Sequence, residues 1–288
     1  MLVLNIRIPD QAIIKIIENN INRSECKMSK DKNKFREFFF NNNKNIINKW
    51  DHYFEIYDRH FRKYKGQDIV LLEIGVSNGG SLRMWKDYFG KNSKIYGLDI
   101  DPRCKEFERK NVKIFIGSQT DLKFLKEIKN KIPKVDILID DGGHFMNQQI
   151  ISFEELFGHI KDDGVYLCED THTSYWLSFG GGYKRRGTFL EYSKNLIDQL
   201  NAFHSEQKEF RLNPFTFSVD SIHYYDSIVV IQKNKRNPPK NIISGKLSFG
   251  KSKISNIRPK LKPTQNNKFL IVLNKILRLF RIRNFLLK

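Results

Sequence analysis

Between residues 68 and 233, short apolar runs alternate with longer segments whose apolar residues recur every three or four positions. Residues 69–74, 94–98, 112–116, 135–139 and 164–168 are such runs and read as buried strands. Helices are expected from the turn at 75–81 to about residue 89, from Asp101-Pro102 onward, at 121–131 behind Thr120 or Asp121, and at 147–160. This alternation implies right-handed crossovers and a mainly parallel sheet with helices on both faces. A further helix at 188–204 precedes two strands, 215–221 and 228–232. They bracket His223-Tyr224-Tyr225-Asp226-Ser227 as a closing antiparallel hairpin. The expected fold is α/β, with a seven-stranded sheet.

Both ends of the chain depart from this rhythm. Residues 1–65 form an expected helical extension, with an amphipathic helix at 11–20 (Ile13, Ile14, Ile16, Ile17) and a polar segment at 22–34. Residues 35–64 then carry a stripe of Trp50, Tyr53, Phe54, Tyr57, Phe61 and Tyr64. Packing against the next domain explains most of these rings, while Tyr53 has a polar tip to offer a substrate. The strand–helix domain occupies 66–233. Residues 234–288 start with Asn237-Pro238-Pro239, continue through a basic linker with Pro259 and Pro263, and regain helical character at 267–288. There Phe269, Val272, Leu273, Ile276, Phe280 and Leu287 oppose Asn274, Arg278, Arg281 and Lys288.

Charge sharpens this division. The formal net charge is +19, which by itself suggests a nucleic-acid partner. Sixteen of the 51 Lys and Arg lie in residues 233–288, where there is no Asp or Glu. The rest of the chain holds 35 basic against 32 acidic residues, so the basic character belongs to a tail and no nucleic acid is expected. That tail reads either as a surface-seeking membrane segment beside an anionic leaflet or as an arm joining copies in a homo-oligomer. No apolar run is long enough to span a bilayer, no signal peptide is recognised, and three scattered cysteines fit a reducing, cytoplasmic setting.

The candidate chemistry sits at strand ends, where open α/β sheets bind their ligands. The first strand runs into Glu73-Ile74-Gly75-Val76-Ser77-Asn78-Gly79-Gly80-Ser81, whose glycines do not have dinucleotide-fingerprint spacing. The second ends at Asp99, where a carboxylate can accept both hydroxyls of a ribose. The fourth leads into Asp140-Asp141-Gly142-Gly143-His144, and the fifth into Glu169-Asp170-Thr171-His172. Neighbouring strands ending in carboxylates, one followed by a histidine, suggest a hard metal ion with a general base beside it. Taken singly, each acid equally suits a turn or a helix cap.

With these motifs the chain resembles class I S-adenosylmethionine-dependent methyltransferases, whose Rossmann-like fold carries Glu-x-Gly-x-x-x-Gly after the first strand and an acid after the second. The resemblance implies a cofactor site at Glu73, Gly75, Asn78, Gly79, Ser81, Asp99, Ile100, Ser118, Gln119 and Asp140. The later motifs resemble the metal-dependent sugar O-methyltransferases of macrolide tailoring and bacterial glycan clusters, over roughly residues 46–233. That likeness implies magnesium on Asp141, Glu169 and Asp170, with His144 as the catalytic base. It also implies a sugar or glycan acceptor, free, nucleotide-linked or lipid-linked. Tyr53, His172, Tyr175 and Trp176 are the candidate acceptor contacts, packing beneath the loop being the alternative for the last two. Gly180-Gly181-Gly182 with Lys184, Arg185 and Arg186 reads as a mobile lid or a solvated basic loop.

Overall fold

In the computed structural model the described residues are 33–206, 210–246, 248 and 268–279. The helix expected at 11–20 and the linker prolines Pro259 and Pro263 lie outside them. The chain builds α1 (Lys34–Phe40), α2 (Tyr53–Phe61), β1 (Val70–Ile74), α3 (Gly80–Phe89), β2 (Lys94–Asp99) and β3 (Val112–Ile116). There follow α4 (Leu122–Lys131), β4 (Val135–Asp140), α5 (Met146–Leu156), β5 (Ile160–Cys168) and α6 (Phe189–Leu200). The short α7 (Pro214–Ser218), β6 (Val219–Tyr225), β7 (Ile228–Lys233) and α8 (Lys268–Leu279) complete it.

The strands form one sheet in the order β3-β2-β1-β4-β5-β7-β6. The pairs among β1 to β5 are parallel, and β7 runs antiparallel to both β5 and β6. Successive side chains point to opposite faces of a strand, and both faces are buried. Leu71, Ile137, Ile139, Val165 and Leu167 pack under Phe35, Tyr57, Phe61 and Trp85 from α1 to α3. Leu72, Ile74, Leu138 and Tyr166 face Leu125, Phe153, Leu156 and Phe189 from α4 to α6.

Two segments differ from the sequence expectation. Residues 35–64 are not one helical stretch, because α1 stops at Phe40 and α2 starts only at Tyr53. Asparagine side chains compete for the backbone here: Asn42 donates to the Asn45 carbonyl (2.8 Å) and accepts from the Lys44 N–H (3.3 Å). The freed strap then crosses the turn after β1, where Asn45 donates to the Asn78 carbonyl (3.0 Å). It passes so close that a Cβ on Gly80 would lie 2.4 Å from the Ile46 carbonyl oxygen. The second departure is at 215–218, expected as strand but helical. Pro214 occupies the first turn, and Asn213 and Thr216 form a reciprocal cap that favours α7.

Candidate active site

The register of the sheet brings the chemical residues together. Ile74 is level with Leu98 and Asp140, and Asp140 with Cys168. The ladder continues beyond the strands: Gly75 N–H donates to Leu98 (2.8 Å), Asp141 N–H to Ile74 (2.9 Å), and Glu169 N–H to Asp140 (2.9 Å). Gly75 has φ +90°, and a Cβ there would lie 1.9 Å from the Asp141 carbonyl oxygen, so only glycine fits. The glycine turn and both acidic clusters therefore share one end of the sheet.

One donor atom each from Asp141, His144 and Asp170 lie within 4.8 Å of one another. His144 Nε2 is 3.4 Å from Asp170 Oδ2 and 3.9 Å from Asp141 Oδ1. Both His144 (φ 59°) and Asp170 (φ 51°) are left-handed, an uncommon conformation for residues with a side chain. Thr173 ties them together, its hydroxyl within hydrogen-bonding distance of the His144 carbonyl (3.0 Å) and the Asp170 carbonyl (2.8 Å). Two carboxylates and an imidazole, half-buried and facing one cleft, are a donor set that suits a divalent cation.

Glu169 is held differently. It is fully buried, and it accepts from the Tyr57 hydroxyl (2.7 Å) and the Lys49 ammonium (2.7 Å). The same ammonium bonds Asp141. Burial and the neighbouring Asp141 charge push the Glu169 carboxyl up to about 8. Burial alone would pull Lys49 down, but Asp141 and Glu169 outweigh it and hold the ammonium charged. Among the described residues, then, the compact donor cluster contains His144 in place of the expected Glu169. Glu169 sits one ammonium away from Asp141.

No motif in the sequence marks Lys49, Thr173 or the hydroxyl of Tyr57 for this centre, although Tyr57 belongs to the aromatic stripe. Tyr53, expected to meet substrate, is buried and donates to Asp170 Oδ1 (2.6 Å), so it braces the cluster. His172 lies edge-on to Trp176 (4.6 Å between centroids) and Trp50 (5.7 Å). These three rings, with Tyr53 and Phe179, line a cleft of about 410 Å³ that reaches His144, Glu169 and Asp170. Exposed Tyr175 is not part of that lining.

A second cleft, of about 260 Å³, is lined by the glycine turn from Gly75 to Asn78, by the strap, and by Asp141 and Gly142. Asn48, Lys49, His144 and Asp170 belong to both linings. The two clefts meet at the acidic centre. Asp99 accepts from the N–H groups of Val76 (2.8 Å), Ser77 (2.9 Å) and Asp101 (2.9 Å). Four lone-pair sites are available on a carboxylate, so Asp99 retains room for a ligand hydroxyl. Ile100 beside it is 73% exposed, an apolar surface at the right place for a flat ring.

Other residues expected at the cofactor are engaged internally. Glu73 is buried and accepts from Ser81 (3.0 Å) and the Trp85 indole (2.9 Å), which leaves neither side chain free. Gln119 donates to Asp140 (3.2 Å) and Ser152 (2.9 Å) and accepts from Gly143 (2.9 Å), bracing the loop below the cleft. Ser118 pairs with Thr120 (2.9 Å). Asn78 donates to Ser77 (3.2 Å), and Gly79 is a left-handed turn residue packed on Phe107. Asp140 is pushed up to about 7 by burial, and its Oδ2 is buried without a partner.

This strand order, with its single antiparallel insertion and its clefts at the parallel strand ends, is the Rossmann-like class I methyltransferase fold. Within that class the chain is similar to several O-methyltransferases. It is 35% identical over 192 residues to mycinamicin VI 2''-O-methyltransferase of Micromonospora griseorubida, covering 63% of this chain and 48% of that protein. It is 32% identical over 190 residues to 8-demethyl-8-alpha-L-rhamnosyl tetracenomycin-C 2'-O-methyltransferase of Streptomyces olivaceus, covering 63% and 50%. The solved structure of the MycE methyltransferase, in complex with Mg, SAH and mycinamycin VI, superposes with a TM-score of 0.63 at 28% identity. That match covers 80% of this chain and 63% of that one. The chain spans about half the length of the curated relatives it matches. No protein-family model matches it.

Proposed function

We propose that the chain is an S-adenosylmethionine- and magnesium-dependent O-methyltransferase acting on a sugar hydroxyl in glycan or glycoside synthesis, on the cytoplasmic side of the cell. The observation that carries this reading is the meeting of two clefts at His144 and Asp170, whose donor cluster Asp141 completes from the smaller cleft. The relatives named above, one of them a 2'-O-methyltransferase of an alpha-L-rhamnosyl compound, support the acceptor class.

In this reading the glycine turn and Asp99 hold the cofactor, whose sulfonium supplies an electrophilic methyl group. Asp141 and Asp170, with Glu169 behind them, would hold the magnesium, which supplies Lewis acidity toward a sugar hydroxyl. His144 Nε2, facing both clefts, takes the hydroxyl proton. Lys49 offsets the charge of Asp141 and Glu169, so a site with three acids carries less uncompensated charge. Thr173 and Tyr53 fix His144 and Asp170 in direction, and orientation is a large part of a methyl-transfer rate. His172, Trp50 and Trp176 give the acceptor ring flat surfaces to rest on.

The test is methyl transfer from labelled S-adenosylmethionine to free, nucleotide-linked and lipid-linked saccharides, with magnesium and with chelator. Transfer to a saccharide that stops in chelator is the expected result. Full transfer in chelator removes the metal from the reading, and transfer only to a non-sugar diol removes the sugar.

A further inference from the structure

The C-terminal helix α8 has no role in the chemistry above, yet its surface is unlike the rest of the protein. Phe269, Val272 and Ile276 are 73%, 55% and 45% exposed. At about 100° per residue they fall on one face of the helix. Lys268 and Lys275, also exposed, are seven residues apart and share a neighbouring flank. No described element packs extensively against α8. An exposed face of large apolar side chains needs a partner.

Charge says which kind. Residues 233–288 carry sixteen Lys and Arg and no Asp or Glu, while the remaining 232 residues are nearly balanced. A partner for this segment is therefore negatively charged and apolar at once. A nucleic acid satisfies the first property and leaves Phe269, Val272 and Ile276 in water. A second copy satisfies the second and meets the same positive charge. An anionic bilayer surface satisfies both, because its headgroups attract lysines and its acyl boundary takes an apolar helix face.

Charge along the sequence sets the geometry. The described part of the helix, twelve residues at about 1.5 Å each, covers about 18 Å, and Lys268, Lys275, Arg278, Arg281 and Arg283 interrupt any apolar run long enough for the roughly 30 Å hydrocarbon core. No helix among the described residues is long and apolar enough to cross a membrane. We propose that α8 lies in the plane of an anionic lipid surface, with Phe269, Val272 and Ile276 in the acyl boundary and Lys268 and Lys275 reaching back to lipid phosphates. The proposal does not depend on the methyltransferase reading.

The experiment is cosedimentation of the full chain with vesicles of phosphatidylcholine alone or of phosphatidylcholine with phosphatidylglycerol. Binding at least about tenfold stronger to the anionic vesicles is expected. The triple variant Phe269→Ser, Val272→Ser, Ile276→Ser should weaken it about tenfold or more. The double variant Lys268→Glu, Lys275→Glu should do so to a similar degree. Neither should move the thermal midpoint, since these side chains are exposed. Equal binding to both vesicle types, or undiminished binding by the serine variant, overturns the proposal. A serine variant that halves the oligomeric mass assigns the face to a second copy. Binding to single-stranded RNA tighter than to vesicles and unchanged in the serine variant assigns the charge to nucleic acid. Either of these also overturns it.

Discussion

Glu73 and Glu169 are both fully buried glutamates near the ends of parallel strands, and burial raises the pKa of both. Their surroundings separate them. Glu73 receives two neutral donors, Ser81 and Trp85, and stays within the aromatic layer under α3. Glu169 receives an ammonium and a phenol and lines the larger cleft. Strand-end position made both candidates for chemistry, but the partners distinguish them. An acid held by uncharged donors alone is scaffold, whereas an acid that shares a cation with a second acid belongs to an ionic centre open to a cleft.

The most forceful attack on this contrast is on the Glu169 side. His144→Ala should lower methyl transfer by roughly 10²- to 10⁴-fold while calorimetric cofactor affinity holds; undiminished turnover would remove the base and with it the contrast. Lys49→Met leaves the buried Glu169 and the half-buried Asp141 without their counter-charge. It should cost about 3–5 kcal/mol in thermal or denaturant unfolding, with added magnesium recovering part of it. A variant as stable as the parent would mean that the ammonium does not hold the centre together.

On the other side, Glu73 is pushed up to about 7 by burial, well above the ordinary carboxylate range. The native state thus keeps a proton that the unfolded chain releases between about pH 4.5 and 7. Stability from this group is full below that window, declines as pH rises through it, and levels off above. Glu73→Gln keeps an acceptor for Trp85 and a donor for Ser81. It should therefore shrink the stability difference between pH 5 and 8 by about 3 kcal/mol. An unchanged difference would mean that Glu73 is ionised in its pocket. The smallest effect expected is from Thr173→Val, about 1–2 kcal/mol of stability with a drop in turnover but not in cofactor affinity. Unaltered turnover would deny Thr173 its place in aligning His144 and Asp170.

The parallel strands were legible because both sheet faces are covered, so their apolar runs are nearly continuous, and the acids that follow them stand out. Asp121 suits a cap by its place in the sequence and is one, accepting from the N–H groups of Lys123 and Phe124. The helix at Pro214–Ser218 is hidden in the sequence, since Phe215 and Phe217 alternate as in a strand and only the cap closed by Asn213 and Thr216 turns them helical. Lys49 was out of reach for another reason. Its partners lie 92 and 120 residues away, and neither periodicity nor local motif reports a lysine that finds two acids across the fold. Tyr53 stands out in the sequence for its hydroxyl, which in the fold bonds Asp170 while the ring lines the larger cleft, because a hydroxyl near a site suits a carboxylate as well as a substrate.

The strap between α1 and α2 bears on how freely this protein can be divided. A boundary at residue 65 looks natural on composition, with an aromatic extension before it and the sheet after it. Yet residues 46–49 roof the smaller cleft, Lys49 supplies the cation between Asp141 and Glu169, and Tyr53 and Tyr57 brace Asp170 and Glu169. The sheet contributes floor and acids, and the extension contributes ceiling and counter-charge. Recombination between relatives at that boundary would therefore exchange half of the site along with the extension. New acceptor preferences gained by such a swap would arrive together with a changed ion centre.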